Sequence, residues 1–464
     1  MHCACGSVAV TETEETGWIR SSSEWRKRFP LSQRRMLWWS AAVPAVWGAA
    51  IMAARYGANV ILVERYGMLG GMATYGEITP FMWNHFKASE DQAFPEAMDR
   101  PVYPEWIRKM SEYLPPTLRN EHAEEYAREG VDAPFTHIIS KDIAPMAAEE
   151  MCLEAGVRIL YHHNLVRTIV EDGVIKAAVF TSKSGFVAIK AKNFVDATGD
   201  ADLTVLAGGK TELGGPSGHC QPMTLCFKLD HVDKSRMPNR QEWAVLYEAA
   251  KAGGKVNCPR EDVLIFNHYD PTVVHFNTTR IIHKSGVNGM ELSEAELEGH
   301  RQFREILNWL REDVPGFEEC QVRSIAGHIG IRESRRIVGI RQITSDSFHK
   351  REKFEDAICR CNYDLDIHSP DGSGTSHCYM SNMEYYEVPY GCVVPAGLKN
   401  LTVGGRPISA DHAMHASLRV IPPACSLGQA AGVAAAMSAR TGIPCDELDG
   451  KEVRAALKEL GAFL

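Results

Sequence analysis

The sequence lacks a surplus of basic residues. It has 50 lysines and arginines against 59 aspartates and glutamates, which gives a net charge of -9 at pH 7. Proteins that bind nucleic acids need basic side chains to neutralise phosphates, so this balance argues against a nucleic-acid partner. The chain also lacks internal repeats and low-complexity tracts. Its hydrophobic content of 45% is that of an ordinary globular protein with two or three domains.

Clustered cysteines are also missing. The 13 cysteines are odd in number and scattered, unlike the dense, even framework of a small secreted domain. The only close pairs are Cys3 with Cys5 and Cys359 with Cys361, and neither has neighbours at the spacing that a zinc or iron–sulfur site requires. We therefore expect reduced thiols in a cytoplasmic protein, and no metal site.

One uncharged stretch, residues 36–54, has the composition of a membrane segment. It follows Arg34-Arg35, so a signal anchor or a twin-arginine export signal is one interpretation. Pro44 interrupts the stretch, and a polar and charged leader precedes it. The residues after the stretch form the second half of a βαβ unit, and the first half of that unit must lie within the stretch. We therefore expect no membrane association.

The most informative absence is a glycine-rich turn. Residues 49–56 predict a small-residue helix that stops at Gly57, and residues 59–63 predict a buried strand that ends in Glu64. This pattern is the second half of a βαβ unit, in which a G-x-G-x-x-G turn holds a pyrophosphate and an acid accepts the ribose hydroxyls. Residues 38–48 stand in place of the turn and read WWSAAVPAVWG, with Gly48 as the only glycine.

A shifted reading frame would explain the missing glycines. Tryptophan has a single codon, and the first two codon bases of alanine, valine and proline are fixed. Read two bases later, the codons from Trp38 onward permit Val-Val-Gly-Gly-Gly-Pro-x-Gly-Val-Gly, a complete phosphate-loop sequence in the required register. Our hypothesis is that residues from about 17 to 47 are translated out of frame. The alternative is a real but degenerate loop.

The string that ends this βαβ unit, VERYGMLGGMAT, occupies residues 63–74. From Ala49 onward, the chain resembles the large FAD-dependent oxidoreductase family that includes the flavin subunit of heterodisulfide reductase. The resemblance covers nearly all of the remaining chain. It implies that Glu64 binds the adenosine ribose and that the glycines let the backbone approach the cofactor. The implied cofactor residues are Glu64, Arg65, Gly70, Gly71, Met72, Ala73 and Thr74.

A second string, FVDATGDAD at residues 194–202, is similar to the strand that returns to the FAD domain in this family. Asp200 and Asp202 lack a third oxygen ligand at suitable spacing, so we interpret them as part of a loop beside the flavin rather than as a metal site. The cofactor residues implied by this part of the chain are Val166, Ala197, Thr198, Gly199 and Asp200.

A small antiparallel sheet is predicted just before the second string. Strand-like runs occupy residues 157–161, 175–181 and 186–189. Turn signals separate them at Asp172-Gly173 and Ser184-Gly185. Such a sheet interrupts the flavin domain in proteins of this kind.

A third string lies towards the C-terminus. Residues 398–409 read LKNLTVGGRPIS, and residues 428–432 read GQAAG at the start of a small-residue helix. In the family, this strand and helix N-terminus close over the ribityl chain and ring of the flavin, whose electron-rich side the helix dipole favours. The implied cofactor residues are Gly405, Arg406, Gly428 and Ala431, with Gly48 in the first helix. A buried structural helix is the alternative.

These segments predict an α/β fold. The expected architecture is a Rossmann-like FAD-binding domain of glutathione-reductase-like topology with an inserted α+β substrate or cap domain. Residues 36–79, 139–213 and 388–464 would form the FAD-binding domain, and residues 80–138 and 214–387 the cap. Residues 1–35 would be a leader that is disordered or out of frame.

A flavin reaction needs a positioned substrate, a group that moves a proton and a cation that holds an anion. We expect Arg332 to be the anion clamp, with His412 and His415 as candidates for proton transfer, because both histidines follow the Gly-Arg strand. A structural ion pair and ordinary hydrogen bonding are the respective alternatives. Residues 221–225 and 364–368 also match family strings, with no role assigned.

The sequence thus predicts an enzyme that transfers a hydride or electrons between non-covalently bound FAD and an unidentified small molecule or a redox protein partner. An NAD-binding Rossmann enzyme and a flavin-free scaffold are the alternatives, and the flavin strings favour FAD. An iron–sulfur cluster is expected only by family analogy, which the cysteine spacing does not support. Cys220 and Cys425 are interpreted as unreactive, because neither belongs to a C-x-x-C motif.

Overall fold

The structure is a computed structural model. It describes residues 35–40, 45–79, 81–82, 84–92, 95–114, 141–268 and 270–464, with the backbone alone for residues 35–40. Residues 1–34 of the predicted leader, residues 41–44 of the glycine-poor turn and residues 115–138 of the first cap segment lie outside these ranges.

A five-stranded parallel sheet forms the centre of the molecule, in the order β20-β9-β1-β2-β5. Strand β2 reads VILVE and is buried along its whole length, as expected for a parallel sheet that is covered on both faces. A helix, α1, connects β1 to β2 and confirms the predicted βαβ unit. The strands are β1 (Arg35–Ser40), β2 (Val60–Glu64), β5 (Arg158–Leu160), β9 (Ala191–Ala197) and β20 (Leu401–Val403), and the helix is α1 (Ala45–Arg55).

Helix α1 packs against the long helix α9 (Ile421–Thr441), which is rich in alanine and buried over nearly all of its length. The two backbones are so close that a side chain at the contact has no room. A Cβ atom on Gly428 would lie 2.0 Å from the carbonyl oxygen of Ala45, and one on Gly432 would lie 2.4 Å from that of Ala49. The small residues of both helices are therefore a packing requirement. Three further helices adjoin this pair: α2 (Val102–Glu112), α3 (Ile143–Glu154) and α10 (Gly450–Glu459).

The predicted small antiparallel sheet is present, but one of its strands was assigned wrongly. The sheet consists of β6 (Asn164–Glu171), β7 (Val174–Ser182) and β8 (Gly185–Ile189), with a tight turn at Asp172-Gly173. The run at residues 157–161 forms β5, which pairs in parallel with β2 in the central sheet. A short apolar run fits either sheet, and only the tertiary structure decides its partner.

The cap contains a four-stranded antiparallel sheet in the order β12-β13-β11-β14. Two long helices share a second hydrophobic core with it, built on aromatic side chains such as Trp243, Trp309 and Phe276. These elements are β11 (Phe227–Asp230), α5 (Arg240–Ala252), β12 (Ile265–Asn267), β13 (Val274–Phe276), α6 (Gly289–Asp313) and β14 (Gln321–Ile325). The predicted fold class, an α/β domain with an inserted α+β unit, is confirmed, whereas the exact domain boundaries stay a prediction.

Short strand pairs and helices connect the two cores. The pairs are β3 (His85–Phe86) with β4 (Glu96–Ala97), β10 (Thr211–Leu213) with β15 (Arg335–Ile337), β16 (Ala357–Cys361) with β19 (Tyr386–Pro389), and β17 (Leu365–His368) with β18 (Thr375–Cys378). The short helices are α4 (Asp202–Leu206), α7 (Ser345–Lys350) and α8 (His412–Leu418).

No single helix within the described ranges has both the length and the apolar composition to cross a membrane. Helices α8 and α9 meet those criteria only when they are taken together, and they are bent by 95° relative to each other.

Candidate functional site

Glu64, the last residue of β2, lies at the carboxyl edge of the central sheet. It is fully buried, and its Oε1 accepts a hydrogen bond of 3.0 Å from the backbone N–H of Tyr66. In the strand register it is opposite Ser40 of β1, which is in turn opposite Ala197 of β9. Open α/β sheets bind ligands at this edge. The structure therefore brings Glu64 and Ala197, both implied as cofactor residues, to the edge where a dinucleotide would bind.

A groove of about 350 Å³ contains two more of the predicted residues, Arg65 and Val166. The guanidinium of Arg65 lies 4.7 Å from the centre of the Tyr66 ring, and its buried Nε has no hydrogen-bond acceptor among the described residues. The lining is half apolar and half polar or charged, and together with the unused donor it is compatible with the adenosine part of FAD. The residues that line the groove are Arg65, Asn164, Leu165, Val166, Asp202, Val205, Leu206 and Arg335.

The Gly70–Thr74 segment forms a tight turn at the end of the first string. Gly70 and Gly71 have φ angles of 116° and 47°, which residues with a Cβ atom adopt at a cost. A Cβ on Gly70 would lie 2.3 Å from Cγ2 of Thr74, whose hydroxyl donates to the carbonyl of Leu69 at 3.0 Å. Met72 and Ala73 are buried in the same turn. The glycines are thus required for the turn itself, whichever ligand it meets.

The loop after β9 is held by buried carboxylates. Asp196 accepts hydrogen bonds from the backbone N–H and the hydroxyl of Thr198, at 3.1 and 2.7 Å, and from the same two groups of Thr204, both at 2.8 Å. These bonds fix Gly199, which has a φ of 82°, and the start of α4. Charged hydrogen bonds of this kind are about twice as strong as neutral ones, so the loop is preorganised.

Arg406 joins this loop to the cap. Its Nε donates to the carbonyl of Gly199 at 2.8 Å, and its Nη2 lies 2.5 Å from Oδ1 of Asp200. Its Nη1 donates to the carbonyl of Ile331, the residue before Arg332. Three residues implied by two separate strings, Gly199, Asp200 and Arg406, are therefore in direct contact, and the predicted anion clamp is adjacent to them.

Asp200 and Asp202, for which a metal site was the alternative interpretation, are each paired with an arginine. Asp200 pairs with Arg406, and Oδ1 of Asp202 lies 2.8 Å from Nη1 of Arg335. Burial and two neighbouring carboxylates raise the pKa of Asp202 to about 6. These pairs support the interpretation of this segment as a loop beside the cofactor.

Arg332 lies deep in the cap with part of its surface accessible. Its guanidinium donates to the carbonyl of Pro222 at 2.7 Å, to the hydroxyl of Thr224 at 2.6 Å and to Oδ1 of Asn277 at 3.3 Å. All three acceptors are neutral, and no ion pair is formed by Arg332 within the described part of the chain. The predicted alternative of a structural ion pair therefore has no support.

Three further arginines lie close to Arg332. Burial, followed by the charges of these arginines, lowers the pKa of Arg332 to about 9. Each of the three has a carboxylate partner: Arg419 with Asp366 at 3.3 Å, Arg280 with Glu261 at 2.9 Å and Arg260 with Asp262 at 3.0 Å. The four guanidiniums thus exceed their three carboxylates by one positive charge, and an isolated buried charge is costly without a counter-ion. The excess favours an anionic ligand.

Four unused donors accompany the excess charge. Buried donors without an acceptor within the described residues are Nε of Arg419, Nε of Arg280, Nη1 of Arg260 and Nε2 of Gln221. His368 lies between Gln221 and the carboxylate partner of Arg419, because its backbone N–H donates to Oε1 of Gln221 at 3.2 Å and its Nε2 lies 3.4 Å from Oδ2 of Asp366. Burial lowers the pKa of His368 to about 3, so its ring is neutral at physiological pH. Native structures rarely leave buried donors unpaired, which again favours a ligand.

The two histidine candidates differ sharply. Nδ1 of His412 lies 2.9 Å from Oε1 of the fully buried Glu333, which also pairs with Arg336. His415 is fully buried, and neither ring nitrogen has a hydrogen-bond partner among the described residues. Burial and nearby cations lower the pKa of His415 well below its usual value. A carboxylate that orients one nitrogen is the usual arrangement for a proton-transfer histidine, so the geometry favours His412.

The predicted residues of helices α1 and α9 serve packing in the structure. Gly48 and Gly428 form the close contact between the two helices, and the carbonyl of Ala431 accepts a hydrogen bond of 2.9 Å from Thr402 of β20. Gly405 has a φ of 81° just before Arg406. The structural-helix alternative accounts for the contacts of Gly48, Gly428 and Ala431, and their role at the cofactor stays a prediction.

Sequence reasoning missed Arg260, Arg280 and His368 as members of the charged cluster. Residues 221–225 and 364–368 were noted as family strings, but their chemistry was not assigned. No local spacing connects these residues, because they converge only through the fold of the cap. The buried thiol of Cys220, whose pKa burial raises to about 11, supports the interpretation of that cysteine as unreactive.

Several solved structures are similar to this chain at low sequence identity. A geranylgeranyl bacteriochlorophyll reductase-like protein from Thermoplasma acidophilum is 12% identical, with a TM-score of 0.41 over 92% of this chain and 84% of that one. The flavin-dependent brominase Bmp2 is 12% identical, with a TM-score of 0.45 over 92% and 83%. The L-proline dehydrogenase from P. horikoshii is 10% identical, with a TM-score of 0.40 over 91% and 98%.

Among curated proteins, none matches the chain by sequence. The sequence profile of one family, described as FAD dependent oxidoreductase, matches residues 42–457. That match covers most of the chain, including all three of the strings that converge around the groove and the charged cluster. The chain belongs to the FAD-dependent oxidoreductase family.

Proposed function

We propose that this FAD-dependent oxidoreductase transfers a hydride or electrons between its flavin and a small organic anion, most simply a carboxylate. The observation that carries the proposal is Arg332, a deeply placed guanidinium whose hydrogen-bond partners among the described residues are all neutral oxygens. A carboxylate bound there would accept two parallel hydrogen bonds and neutralise the excess charge of the arginine cluster. Bound flavin would supply the redox chemistry.

The contact of Arg406 with both Gly199 and Ile331 supports a place for this anion beside the cofactor. The same segment continues into Glu333, which orients His412. In this proposal Arg332 fixes the substrate, and His412 gives or takes a proton at Nε2 while Glu333 holds Nδ1. An electron-transfer protein partner, a cytoplasmic location and the relation to heterodisulfide reductase stay predictions from the sequence.

Paired ligands test the proposal on FAD-loaded protein, expressed from a gene in which residues from about 17 to 47 are replaced by the frame-corrected sequence. Small carboxylic acids and their primary amides are mixed anaerobically with the enzyme, and the flavin absorbance records binding or reduction. We expect the acids to act and the amides to be much weaker, because an amide cannot neutralise the guanidinium. Arg332→Ala should weaken the effect of an active acid by at least about 100-fold, the loss of two charged hydrogen bonds at about 1.5–3 kcal/mol each.

Arg301→Ala is the matched control. Arg301 lies on α6 and pairs with Glu298 and Glu305 on the same helix, so its removal should leave acid binding unchanged. Amides that act as well as their acids, or an Arg332→Ala enzyme with wild-type response, would refute the anion clamp. FAD retention in each variant separates an effect on the substrate from an effect on the cofactor.

A further inference from the structure

The geometry points to a second site in the cap, a divalent-cation site formed by His219, His283 and Asp371. His219 lies in the loop between β10 and β11, His283 follows β13, and Asp371 is at the tip of the β17–β18 hairpin. One ligand atom from each residue lies within 4.8 Å of the other two. All three side chains are exposed, so a hydrated ion can reach them without an opening of the fold.

The spacing of the ligand atoms is close to that of a bound metal. Two ligands at 2.0–2.1 Å from a tetrahedral zinc ion are about 3.3 Å apart. Nε2 of His283 is already 3.4 Å from Oδ1 of Asp371. The rings of His219 and His283 are 4.6 Å apart between centroids. Because the side chains are exposed, rotation of His219 would bring its ring nitrogen to an ion bound between His283 and Asp371.

Buried groups hold the segments that carry two of the ligands. Arg280, which is fully buried and three residues before His283, donates to the carbonyl oxygens of Gly372 and Gly374 at 3.0 and 3.3 Å. These bonds fix the hairpin tip next to Asp371 relative to the segment of His283. On the third segment, buried Arg336 donates to the carbonyl of Gly214 at 2.8 Å, at the base of the turn that carries His219.

The donor set indicates the class of metal. Two imidazole nitrogens and one carboxylate oxygen suit Zn²⁺ and the neighbouring first-row ions, whereas Ca²⁺ and Mg²⁺ prefer shells made of oxygen alone. Three protein ligands leave a position for water. A bound ion would also restrain the loop that carries His219. Gly215 of this loop packs closely against the ring of His412, because a Cβ atom on Gly215 would lie 3.0 Å from that ring. The site would therefore steady one wall of the proposed active site.

Metal titration of the purified full chain tests this inference without any substrate. We expect calorimetry to show one Zn²⁺ per chain, and Co²⁺ to give visible absorption bands of a nitrogen- and oxygen-ligated ion. Loss of a residue that only supports a metal ligand commonly lowers metal affinity by about 10- to 100-fold. Loss of a ligand itself should cost at least as much. We therefore expect each of three variants to bind Zn²⁺ at least about 100-fold more weakly: His219→Ala, His283→Ala and Asp371→Asn. Because all three residues are exposed, the variants should melt at the wild-type temperature in metal-free buffer.

His231→Ala is the control, since His231 is exposed and its Nδ1 lies 2.9 Å from Oδ1 of Asp230, a carboxylate that also pairs with Arg323 at 3.6 Å. It should bind Zn²⁺ like the wild type. The site would be overturned if each of the three ligand variants still bound one Zn²⁺ per chain. It would also be overturned if the wild type bound no more Zn²⁺ than a double variant with His219→Ala and Asp371→Asn. Since the readout is metal binding alone, either result leaves the proposal for Arg332 untouched.

Discussion

Arg332 and Arg406 are neighbours in the fold, yet their surroundings differ. Arg406 is neutralised by Asp200 and holds two loops together, so its removal would leave a buried carboxylate unpaired. Among the described residues, Arg332 donates to neutral acceptors alone. This contrast supports a structural role for Arg406 and our proposal that Arg332 binds a ligand. Substitution of Arg406 should mainly lower stability, whereas substitution of Arg332 should mainly affect the ligand.

Glu64 is the residue at which the cofactor assignment is tested most simply. In Glu64→Ala, two hydrogen bonds from the ribose hydroxyls to a carboxylate would be lost. Charged hydrogen bonds contribute about 1.5–3 kcal/mol each, so the dissociation constant of FAD should rise by at least about tenfold. Titration of the frame-corrected apoprotein with FAD, followed by the quenching of flavin fluorescence, measures the change.

The control for Glu64→Ala is Glu171→Ala. Glu171 is an exposed carboxylate at the end of β6, and its nearest cation, Lys176, lies 4.0 Å away. Its removal should leave FAD affinity unchanged. An FAD dissociation constant that is the same in Glu64→Ala as in the wild type would exclude Glu64 from the cofactor site.

Single residues show how far the sequence alone could reach. The family strings indicated Gly199, Asp200 and Arg406, and the structure brings these three into contact. Arg280 and His368 carried no such signal, although their side chains meet at 3.1 Å. Their positions are far apart in the chain, and a charge cluster or a metal-binding trio of this kind exists only after the cap has folded.

At the scale of elements, the contact between α1 and α9 joins the first and last parts of the FAD-binding unit. Gly428→Ala would place a Cβ atom 2.0 Å from a backbone oxygen of α1, where neither group can rotate away. The helices would have to separate. Overpacking of this kind costs about 1–3 kcal/mol or more, so urea unfolding should show a lower midpoint with an unchanged slope.

Gly289→Ala is the matched control for that change. Gly289 is the first residue of α6, and a Cβ atom there would meet nothing within 4 Å. The same addition of a methyl group should therefore leave stability unchanged or raise it slightly. If Gly428→Ala unfolds at the same urea concentration as Gly289→Ala, the backbones of α1 and α9 are not in the close contact described above.

The elements also show where sequence patterns stop being informative. The helix and strand at residues 45–64 were predictable because small-residue periodicity and a β-branched run are local signals. The run at residues 157–161 was recognised as a strand but given to the wrong sheet. Strand identity is set by local residues, whereas the choice of partner depends on what the rest of the chain places beside it.

In the whole molecule, the central parallel sheet provides the edge at which we expect the cofactor, and the cap provides the cluster of arginines with excess positive charge. The segment that contains Arg332 and Glu333 connects the two through Arg406 and His412. This connection supports our proposal that the enzyme places an anion beside its flavin. The phosphate-holding turn, residues 41–44, lies outside the described ranges, and its reading frame stays a hypothesis.

That turn determines how strongly the whole molecule should hold FAD. In the sequence as written, Ala41, Ala42 and Val43 stand where the phosphate-loop motif has glycines. From the sequence we expect their Cβ atoms to hinder the close approach of the backbone to the pyrophosphate. Loss of three or four charged hydrogen bonds, at about 1.5–3 kcal/mol each, would weaken binding by several powers of ten. The protein expressed from this sequence should therefore purify colourless, as an apoprotein.

The most direct test of the account is the absorption spectrum of a chain in which only residues from about 17 to 47, which we propose to be out of frame, are replaced by the glycine-rich sequence. We predict that this protein purifies yellow, with one oxidised flavin per chain that bleaches when dithionite is added. A corrected chain that unfolds cooperatively but carries no flavin, and takes up none from solution, would contradict the account.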